Sequence, residues 1–305
     1  MAKVVDVAAA VMERPDGRYL LAQRPEGKVY AGWWEFPGGK VEAGEPREAA
    51  LARELDEELG VRVRTAYPWI TRIHVYEHAT VRLHFFRVTG WDGEPQGREG
   101  QRFLWQAPEA PLASPMLPAN APVLRSLALP LEYAISDAEH LGEGEMLARL
   151  ERRVREGLRL VQVRDKDLAS RDAFIAKACA IAHRAGARVL VNGAPHREAD
   201  GVHVTAAQLA ALGQRPEAGM VGASCHTRAE LERAMALDLD FAVLGPVLPT
   251  ATHPGARALG WEGFAALARQ ASIPVYALGG LRAADLDRAR RAGAHGLAMI
   301  RGSWA

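Results

Sequence analysis

The sequence predicts two domains, an α+β domain over residues 1–128 followed by an α/β barrel over residues 131–305. Three observations predict this division. The chain has 305 residues, the length of about two domains. Its first part shows strand patterns and few helices, whereas short apolar runs alternate regularly with helical stretches from Leu131 onward. Between these parts, residues 107–130 hold six prolines, and we expect the domain boundary near the end of that stretch.

The α+β domain is predicted to contain a mixed sheet and helices. Four strand patterns lie at Val4–Met12, Tyr19–Ala22, Val63–Val75 and Val81–Val88. One strongly periodic helix is predicted from about Pro46 to Leu59, because Leu51, Leu55 and Leu59 recur every four residues and form a buried stripe. Gly60 follows as a helix stop.

The second domain is predicted to be a (β/α)8 TIM barrel. Its eight apolar runs are Leu131–Ile135, Leu160–Arg164, Val189–Asn192, Gly201–Val204, Val221–Cys225, Phe241–Gly245, Val275–Gly279 and Leu297–Ile300. Helical stretches between them include Arg171–Ala185, Arg228–Leu237, Gly263–Ala271 and Ala283–Ala292. Such alternation implies parallel strands joined by crossover helices, and eight units in about 175 residues make a small barrel.

Composition narrows the classes of partner. The net charge of +1 favours neither a polynucleotide nor an anionic membrane surface as a partner, but it allows a basic pocket for a small phosphate ligand. No stretch approaches the roughly 20 apolar residues of a membrane span. The N-terminal residues have the pattern of a first strand rather than of a signal peptide. Cys179 and Cys225 are too few for a disulfide framework, which favours a reducing, cytoplasmic location.

The predicted helix carries an acidic face suited to a metal ion. Glu54, Glu57 and Glu58 stand at positions i, i+3 and i+4 and therefore share one side of the helix. Like charges at these spacings weaken a helix by a few tenths of a kcal/mol per pair. Carboxylate oxygens suit a hard divalent ion, Mg²⁺ or Mn²⁺, better than zinc. Just before the helix, the Gly38-Gly39 pair allows a sharp turn that exposes a backbone carbonyl.

The segment from Gly39 to Val61 resembles the Nudix box. It reads Gly, five residues, Glu45, seven residues, and then Arg53-Glu54-Leu55-Asp56-Glu57-Glu58-Leu59-Gly60-Val61. All nine defining positions match. The resemblance implies a Nudix hydrolase fold and a Mg²⁺ site, with Mn²⁺ as the alternative ion. Its implied ligands are the Gly38 carbonyl, Glu54, Glu57 and Glu58. It further implies that Glu54 activates water, while Arg53 and Glu45 brace the loop and helix.

Within this superfamily the domain resembles MutT, which hydrolyses 8-oxo-dGTP. The shared strings are Trp34-Glu-Phe-Pro-Gly-Gly-Lys40, Gly93-Glu-Pro-Gln-Gly-Arg-Glu-Gly-Gln101 and Leu117-Pro-Ala-Asn-Ala-Pro-Val123. The resemblance implies that Glu99 is a further metal ligand and that Arg24 contacts phosphate. It also implies that Asn120 reads the oxidised purine, since an amide both donates and accepts hydrogen bonds. Phe36 is predicted to flank the base, although aromatic residues in strands more commonly belong to a core.

Polar residues follow several predicted barrel strands. They are Gln162, Arg164, Lys166, Asn192, Ser224, His226 and Thr250, together with the glycine pair Gly279-Gly280 and the pair Gly302-Ser303. TIM-barrel active sites lie at the carboxyl ends of the strands. Glycine-rich loops there suit a phosphate that is bound by backbone N–H groups.

This half resembles the thiamine phosphate synthase and TenI barrel family over residues 131–303. The strings that carry the resemblance are Gln162-Val-Arg-Asp-Lys166, Gly201-Val-His-Val204, Gly222-Ala-Ser-Cys-His-Thr227, Gly245-Pro-Val-Leu-Pro-Thr250 and Ala277-Leu-Gly-Gly280. The synthase pattern has two aspartates for Mg²⁺, but Gly193 stands at the first position and Thr205-Ala-Ala-Gln208 carries no acid at the second. A lysine expected after Thr250 is His253. TenI lacks those acids too and uses a histidine at the position of His226.

The sequence therefore predicts a Mg²⁺-dependent pyrophosphohydrolase that converts 8-oxo-dGTP to the monophosphate and pyrophosphate. One alternative is a Nudix domain that acts on thiamine-pathway pyrophosphates for a synthase-like barrel. The barrel itself is predicted to act as a thiazole tautomerase through His226, or else only to bind a thiazole or thiamine phosphate ligand.

Overall fold

The computed structural model describes residues 4–77, 79–108, 110, 112–250 and 257–305. It divides into two units, Met1–Ala128 and Leu129–Ala305. The elements of the first unit are β1 (Val4–Met12), β2 (Tyr19–Gln23), β3 (Trp34–Glu35), β4 (Gly38–Lys40), α1 (Arg47–Leu59), β5 (Arg62–Val75), β6 (Thr80–Asp92), β7 (Phe103–Gln106) and α2 (Ala121–Leu127).

The first unit contains two sheets. Four strands form a mixed sheet in the order β4-β1-β6-β5, in which β1 runs parallel to β6 and antiparallel to β4. The other three form an antiparallel sheet in the order β3-β2-β7. The expectation of an α+β domain with a mixed sheet is confirmed.

Strand β1 is apolar on both sides because both faces of its sheet are covered. Ala8, Ala10 and Met12 pack into a core with α1, whereas Ala9 and Val11 pack into a second core on the opposite face. A strand that is buried on both faces has a continuous apolar run instead of an alternating one. The sheet thereby fixes β4, with its paired glycines, beside the helix.

Helix α1 holds the acidic face of the first unit against this sheet. It begins at Arg47, one residue after the predicted Pro46, and ends at Leu59. The next residue, Gly60, caps it with a φ of 69°, a left-handed conformation that favours glycine. The predicted stripe of Leu51, Leu55 and Leu59 is completely buried. Each leucine contributes about 1.5–3 kcal/mol through burial. This anchorage keeps the glutamates of the opposite side in a defined position.

The second unit is a closed barrel of eight parallel strands, as predicted. Its strands are β8 (Glu132–Ile135), β9 (Leu160–Val163), β10 (Arg188–Asn192), β11 (Gly201–Val204), β12 (Met220–Cys225), β13 (Phe241–Leu244), β14 (Val275–Leu278) and β15 (Gly296–Met299). Its helices are α3 (Ala138–Leu141), α4 (Glu143–Arg155), α5 (Arg171–Arg184), α6 (Ala206–Ala211), α7 (Arg228–Ala236), α8 (Gly260–Ala268) and α9 (Leu286–Arg291).

The helix predicted at Ala283–Ala292 is corrected by the structure, because Ala283–Asp285 forms a 3₁₀ turn before α9. The helix predicted at Gly263–Ala271 lies three residues earlier, as α8. Among the described residues, every helix is too short or too polar to span a bilayer.

Three aromatic rings fill the barrel near the amino ends of its strands. Tyr133, Phe241 and Tyr276 are fully buried, with ring centroids 5.1–5.7 Å apart. This packing closes one end of the barrel interior. The carboxyl ends of the strands are left to form a cavity, which is the usual position of a TIM-barrel site.

Candidate active site

The acidic face of α1 lies against the glycine pair of β4. The Gly38 N–H donates to Glu58 Oε2 at 3.1 Å. A Cβ atom on Gly39 would overlap the Glu54 carboxylate, so that carboxylate lies directly over the Gly39 backbone. The two glycines therefore allow helix and strand to approach so closely that two glutamates reach the backbone.

Arg53 forms hydrogen bonds with several groups of this arrangement. Its guanidinium donates to both Glu45 oxygens at 3.0 Å and to the Lys40 carbonyl at 3.0 Å. The same guanidinium donates to Glu54 at 2.9 Å and to Glu57 at 3.2 Å. The hydrogen bonds from Arg53 lower the pKa of Glu45 and, in turn, raise that of Arg53. One side chain thus ties the loop before α1 to the acidic face of α1.

Glu58 lies in a crowded anionic environment. Burial, together with the nearby carboxylates of Glu35, Glu54 and Glu99, raises its pKa to about 8, although the hydrogen bond from Gly38 opposes the shift. Carboxylates that raise one another's pKa lack sufficient positive charge around them. This part of the site is therefore suited to receive a cation.

The predicted metal ligands do not form a closed cage. Within the described parts of the chain, no group of three or more acidic, histidine or cysteine side chains has an arrangement that would hold a metal ion. Arg53 draws Glu54 and Glu57 toward Glu45. Glu99 instead pairs with Lys28 at 3.0 Å. The side chains of Arg53 and Lys28 thus already pair with these carboxylates. Metal binding would require the ion pairs to separate.

Asn120, the predicted base-reading residue, is buried in the first unit. It ends a 3₁₀ turn, Pro118–Asn120, and is 3% exposed. Its Nδ2 lies 3.8 Å from the Met116 sulfur, which is a weak acceptor. The amide is therefore held by packing rather than by strong hydrogen bonds.

Phe36 lies in the core of the first unit, the position more common for aromatic residues of strand patterns. It is 3% exposed and lies in the core, with its ring centroid 5.9 Å from that of Phe85 and 6.1 Å from that of Tyr19. Ring packing of this kind is typical of a core residue. A contact between this ring and a base would require the surrounding core to open.

Arg24 lies beside β3, where it forms an ion pair with Glu35. Neither Glu35 nor Lys28 is among the predicted site residues. Glu35 was recognisable as the charged residue between Trp34 and Phe36, inside an otherwise apolar run. For Lys28, the sequence holds no signal that distinguishes it from other surface lysines.

The barrel has a cavity of about 1090 Å³ at the carboxyl ends of its strands. The predicted residues that line the cavity are Gln162, Arg164, Lys166, Asn192, Ser224, His226, Thr250, Gly279, Gly280 and Gly302, whereas Ser303 is not part of the lining. Arg282 and Arg301 also line it and were not predicted, although each adjoins one of the glycine-rich loops. Among the described residues, the lining includes four cationic side chains and no aspartate or glutamate.

A chain of hydrogen bonds crosses the floor of this cavity. Asn192 Nδ2 donates to Gln162 Oε1 at 3.1 Å, and Gln162 Nε2 donates to the Tyr133 hydroxyl at 3.1 Å. That hydroxyl lies 3.3 Å from His203 Nδ1, and His203 Nε2 lies 2.9 Å from Ser224 Oγ. Tyr133 and His203 are further members that the predictions did not include.

The positions of the hydrogens along these hydrogen bonds follow from the effect of burial on Tyr133 and His203. Burial raises the pKa of Tyr133 and lowers that of His203 to about 3, so both groups are neutral. Since the Tyr133 hydroxyl accepts from Gln162, its own hydrogen goes to His203 Nδ1. The His203 proton therefore lies on Nε2 and is donated to Ser224. The Ser224 hydroxyl hydrogen then remains for a ligand, and Asn192 Oδ1 has no partner among the described residues.

His226 is held at the rim of the cavity. Its Nδ1 lies 2.6 Å from the Gly245 carbonyl, which can only accept, so Nδ1 carries the proton and Nε2 remains an acceptor. Its backbone N–H donates to Glu230 at 2.6 Å. Both contacts fix the ring without using Nε2.

The positions where the synthase pattern has aspartates are joined to each other instead. Gln208 Nε2 donates to the Gly193 carbonyl at 3.0 Å, and Thr205 caps α6 through a reciprocal pair of hydrogen bonds with Gln208. These contacts are structural and involve no carboxylate. His253 lies outside the described residues.

Comparison with known proteins identifies a family for each half of the chain. A family model described as "NUDIX domain" matches residues 8–126, and one described as "Thiamine monophosphate synthase" matches residues 132–302, more than half of the chain. The chain belongs to both families. A CTP pyrophosphohydrolase of Escherichia coli is 40% identical over 124 residues, which are 41% of this chain and 91% of that protein.

Two further relatives match one half each. An 8-oxo-dGTP diphosphatase of Haemophilus influenzae is 41% identical over 125 residues, covering 41% of this chain and 92% of that protein. A Geobacter sulfurreducens protein named "Putative thiamine-phosphate synthase" is 36% identical over 178 residues, covering 55% of this chain and 84% of that protein. The Nudix relatives differ in the nucleotide named, so membership in this family leaves the base open.

Proposed function

We propose that the Nudix domain hydrolyses oxidised purine nucleoside triphosphates, chiefly 8-oxo-dGTP, to the monophosphate and pyrophosphate. The observation that carries the proposal is the pair of carboxylates, Glu54 and Glu58, packed over Gly38-Gly39 and braced by Arg53. Membership in the Nudix family supports the reaction class.

The donor set fits a hard divalent cation. The ligands we propose for Mg²⁺, with Mn²⁺ as the alternative, are the Gly38 carbonyl, Glu54, Glu57, Glu58 and Glu99. The raised pKa of Glu58 agrees with this assignment, because burial and then the neighbouring carboxylates disfavour its charged form, and a bound cation would offset both. When bound, the ion would neutralise phosphate oxygens and orient water. Glu57 and Glu99 would first release Arg53 and Lys28.

Glu54 is the proposed general base. Its carboxylate takes a proton from water as the water oxygen bonds to phosphorus and the bond from phosphorus to the leaving phosphate oxygen breaks. Arg53 holds Glu54 in position, and its three contacts with Glu45 and the Lys40 carbonyl keep the guanidinium from moving away with the carboxylate. Such assistance contributes about 10²–10⁴-fold to rate.

The preference of the enzyme for one nucleobase over another tests the substrate assignment. We expect kcat/KM for 8-oxo-dGTP to exceed that for dGTP at least about 10-fold, the effect of one or two hydrogen bonds in a buried site. The Asn120→Ala variant should lose most of this ratio, because the buried amide is the group proposed to read the oxidised edge. Ser126→Ala, in the helix that follows, is the control for general disturbance of this segment.

Steady-state rates with 8-oxo-dGTP, dGTP, CTP and a pyrimidine pyrophosphate of the thiamine pathway decide among substrates. Equal rates on the two purines would refute the assignment to oxidised purines. A preference for CTP would move the substrate toward that of the Escherichia coli relative. A preference for the pyrimidine pyrophosphate would favour the thiamine-pathway alternative.

A second candidate function belongs to the barrel, which we propose binds a phosphorylated heterocycle such as a thiazole phosphate. The observation that favours it is a cavity with cationic side chains and glycine-rich loops at its rim and neutral polar groups on its floor. The cationic side chains and glycine-rich loops suit a phosphate. The neutral polar groups of the floor suit a ring with one hydrogen-bond donor and one acceptor. His226, with Nε2 free to accept a proton, supports proton transfer in the tautomerase manner.

Calorimetry with a thiazole carboxylate phosphate tests this barrel site. We expect Lys166→Gln to weaken binding about 10-fold, because one charge-assisted contact to phosphate is lost. Lys177→Gln, which removes an exposed lysine of α5, is the matched control. Equal binding in both variants would contradict the proposed phosphate position. Turnover that is absent in His226→Ala would identify a catalytic barrel, whereas binding without turnover would identify a binding module.

A further inference from the structure

Arg24 is held by two contacts from opposite sides. It follows β2, and Glu35 lies on the neighbouring strand β3, so the two side chains meet across the end of this sheet. Arg24 Nη1 donates to both Glu35 oxygens, at 2.7 and 2.8 Å. Its Nε donates to the Val29 carbonyl at 2.7 Å. The third nitrogen, Nη2, has no acceptor among the described residues and is available to a ligand.

The backbone around Arg24 is also fixed. Its N–H donates to the Trp33 carbonyl at 2.9 Å, and its own carbonyl accepts from Gly32 at 2.9 Å. These bonds close the loop between Arg24 and Trp33. The guanidinium therefore has little freedom in either its backbone or its side chain.

The ion pair adjoins the proposed metal site through the loop that follows Arg24. That loop, closed by the bond from Arg24 to Trp33, carries Lys28, whose Nζ lies 3.0 Å from the carboxylate of Glu99, a proposed metal ligand. Burial raises the pKa of Glu35 itself, while Arg24 and Lys28 lower it. Glu35 is thus a partly buried carboxylate whose main partner is an arginine at the edge of the proposed reaction site. It is not one of the proposed metal ligands.

We propose that Glu35 is a positioning residue that holds the Arg24 guanidinium with Nη2 directed to the polyphosphate of the substrate. A group that is already immobilised loses less conformational entropy when the substrate binds. Glu35 acts through Arg24 and need not touch the reacting atoms. This inference rests on the proposed nucleotide hydrolysis and adds to it the residue that prepares the phosphate contact.

The test compares Glu35→Gln with Glu13→Gln in the full chain. Glu13 also accepts two hydrogen bonds from one arginine elsewhere in the domain, from Arg87 Nε at 2.8 Å and Nη2 at 2.6 Å. Both variants remove one carboxylate from an arginine pair and should lower the Tm comparably. Only Glu35→Gln is expected to raise KM about 10-fold with kcat within about twofold. The Arg24→Gln/Glu35→Gln double variant should be no worse than Arg24→Gln.

Two results would overturn the proposal. One is an equal KM change in the two glutamate variants, and the other is a multiplied effect in the double variant. Calorimetric titration with pyrophosphate in Mg²⁺ buffer separates this inference from the proposed reaction. If the wild type turns over no nucleotide but Glu35→Gln weakens pyrophosphate binding about 10-fold, hydrolysis fails and the positioning role stands. If pyrophosphate binds equally to wild type and variant, the positioning role fails.

Discussion

Replacing Glu54 with glutamine is expected to lower kcat for nucleotide hydrolysis about 10²–10⁴-fold, the usual contribution of a general base. The amide cannot accept a proton from water, yet it has nearly the shape of the carboxylate over Gly39. It also keeps an oxygen for the hydrogen bond from Arg53. The fold should therefore persist while the chemical step slows, which pre-steady-state hydrolysis of 8-oxo-dGTP would measure.

Glu48→Gln is the matched control for this change. Glu48 lies in the first turn of the same helix but is exposed. The identical substitution should leave kcat within about twofold there, since surface changes have small effects. Full activity of the Glu54→Gln variant would show that Glu54 is not the general base. Equal losses in both variants would indicate damage to the helix instead.

The second large effect is expected from Gly39→Ala. The added methyl group would overlap the end of the Glu54 side chain, which can rotate away. Stability should change by less than about 1 kcal/mol, because the far end of a flexible side chain yields more easily than backbone. Activity should fall about 10²-fold, since a displacement near 1 Å can cost that much in rate. Hydrolysis rates and urea unfolding of the same samples measure the two effects.

Gly38→Ala provides the contrast. Its methyl group would overlap the backbone carbonyl of Ala8 on β1, and its φ of 142° is disfavoured for other residues. Overpacking against backbone in a core costs about 1–3 kcal/mol. We therefore expect Gly38→Ala to lose stability as well as activity. If Gly39→Ala were equally unstable, or fully active, the close approach of Glu54 to Gly39 would be wrong.

The acidic helix α1 shows which features can be predicted from residues that are close in sequence. The four-residue spacing of its leucines predicts which side is buried, and therefore which side carries Glu54, Glu57 and Glu58. Gly60 predicts the end of the helix, because a left-handed residue there requires glycine. In the barrel, the alternation of apolar runs and helices predicts both the parallel strands and the end at which polar residues gather. All of this depends on residues close in sequence.

Contacts between distant residues needed the tertiary structure. Lys28 pairs with Glu99, which is 71 positions away, and Tyr133 contacts His203, which is 70 positions away. The burial of Phe36 likewise depends on Phe85, from another strand. Periodicity describes one segment at a time, so it does not indicate which cation will neutralise which carboxylate.

The sequence by itself thus determined the two folds, the acidic helix with its adjoining glycines, and the polar residues at the barrel mouth. Only the tertiary structure decided that Arg53 and Lys28 occupy the carboxylates, that Glu35 holds Arg24, and that neutral groups cover the cavity floor. The physical reason is the separation along the sequence of the residues that interact. Helix and strand patterns arise from neighbouring residues, whereas charge pairing and burial depend on side chains that only folding brings together.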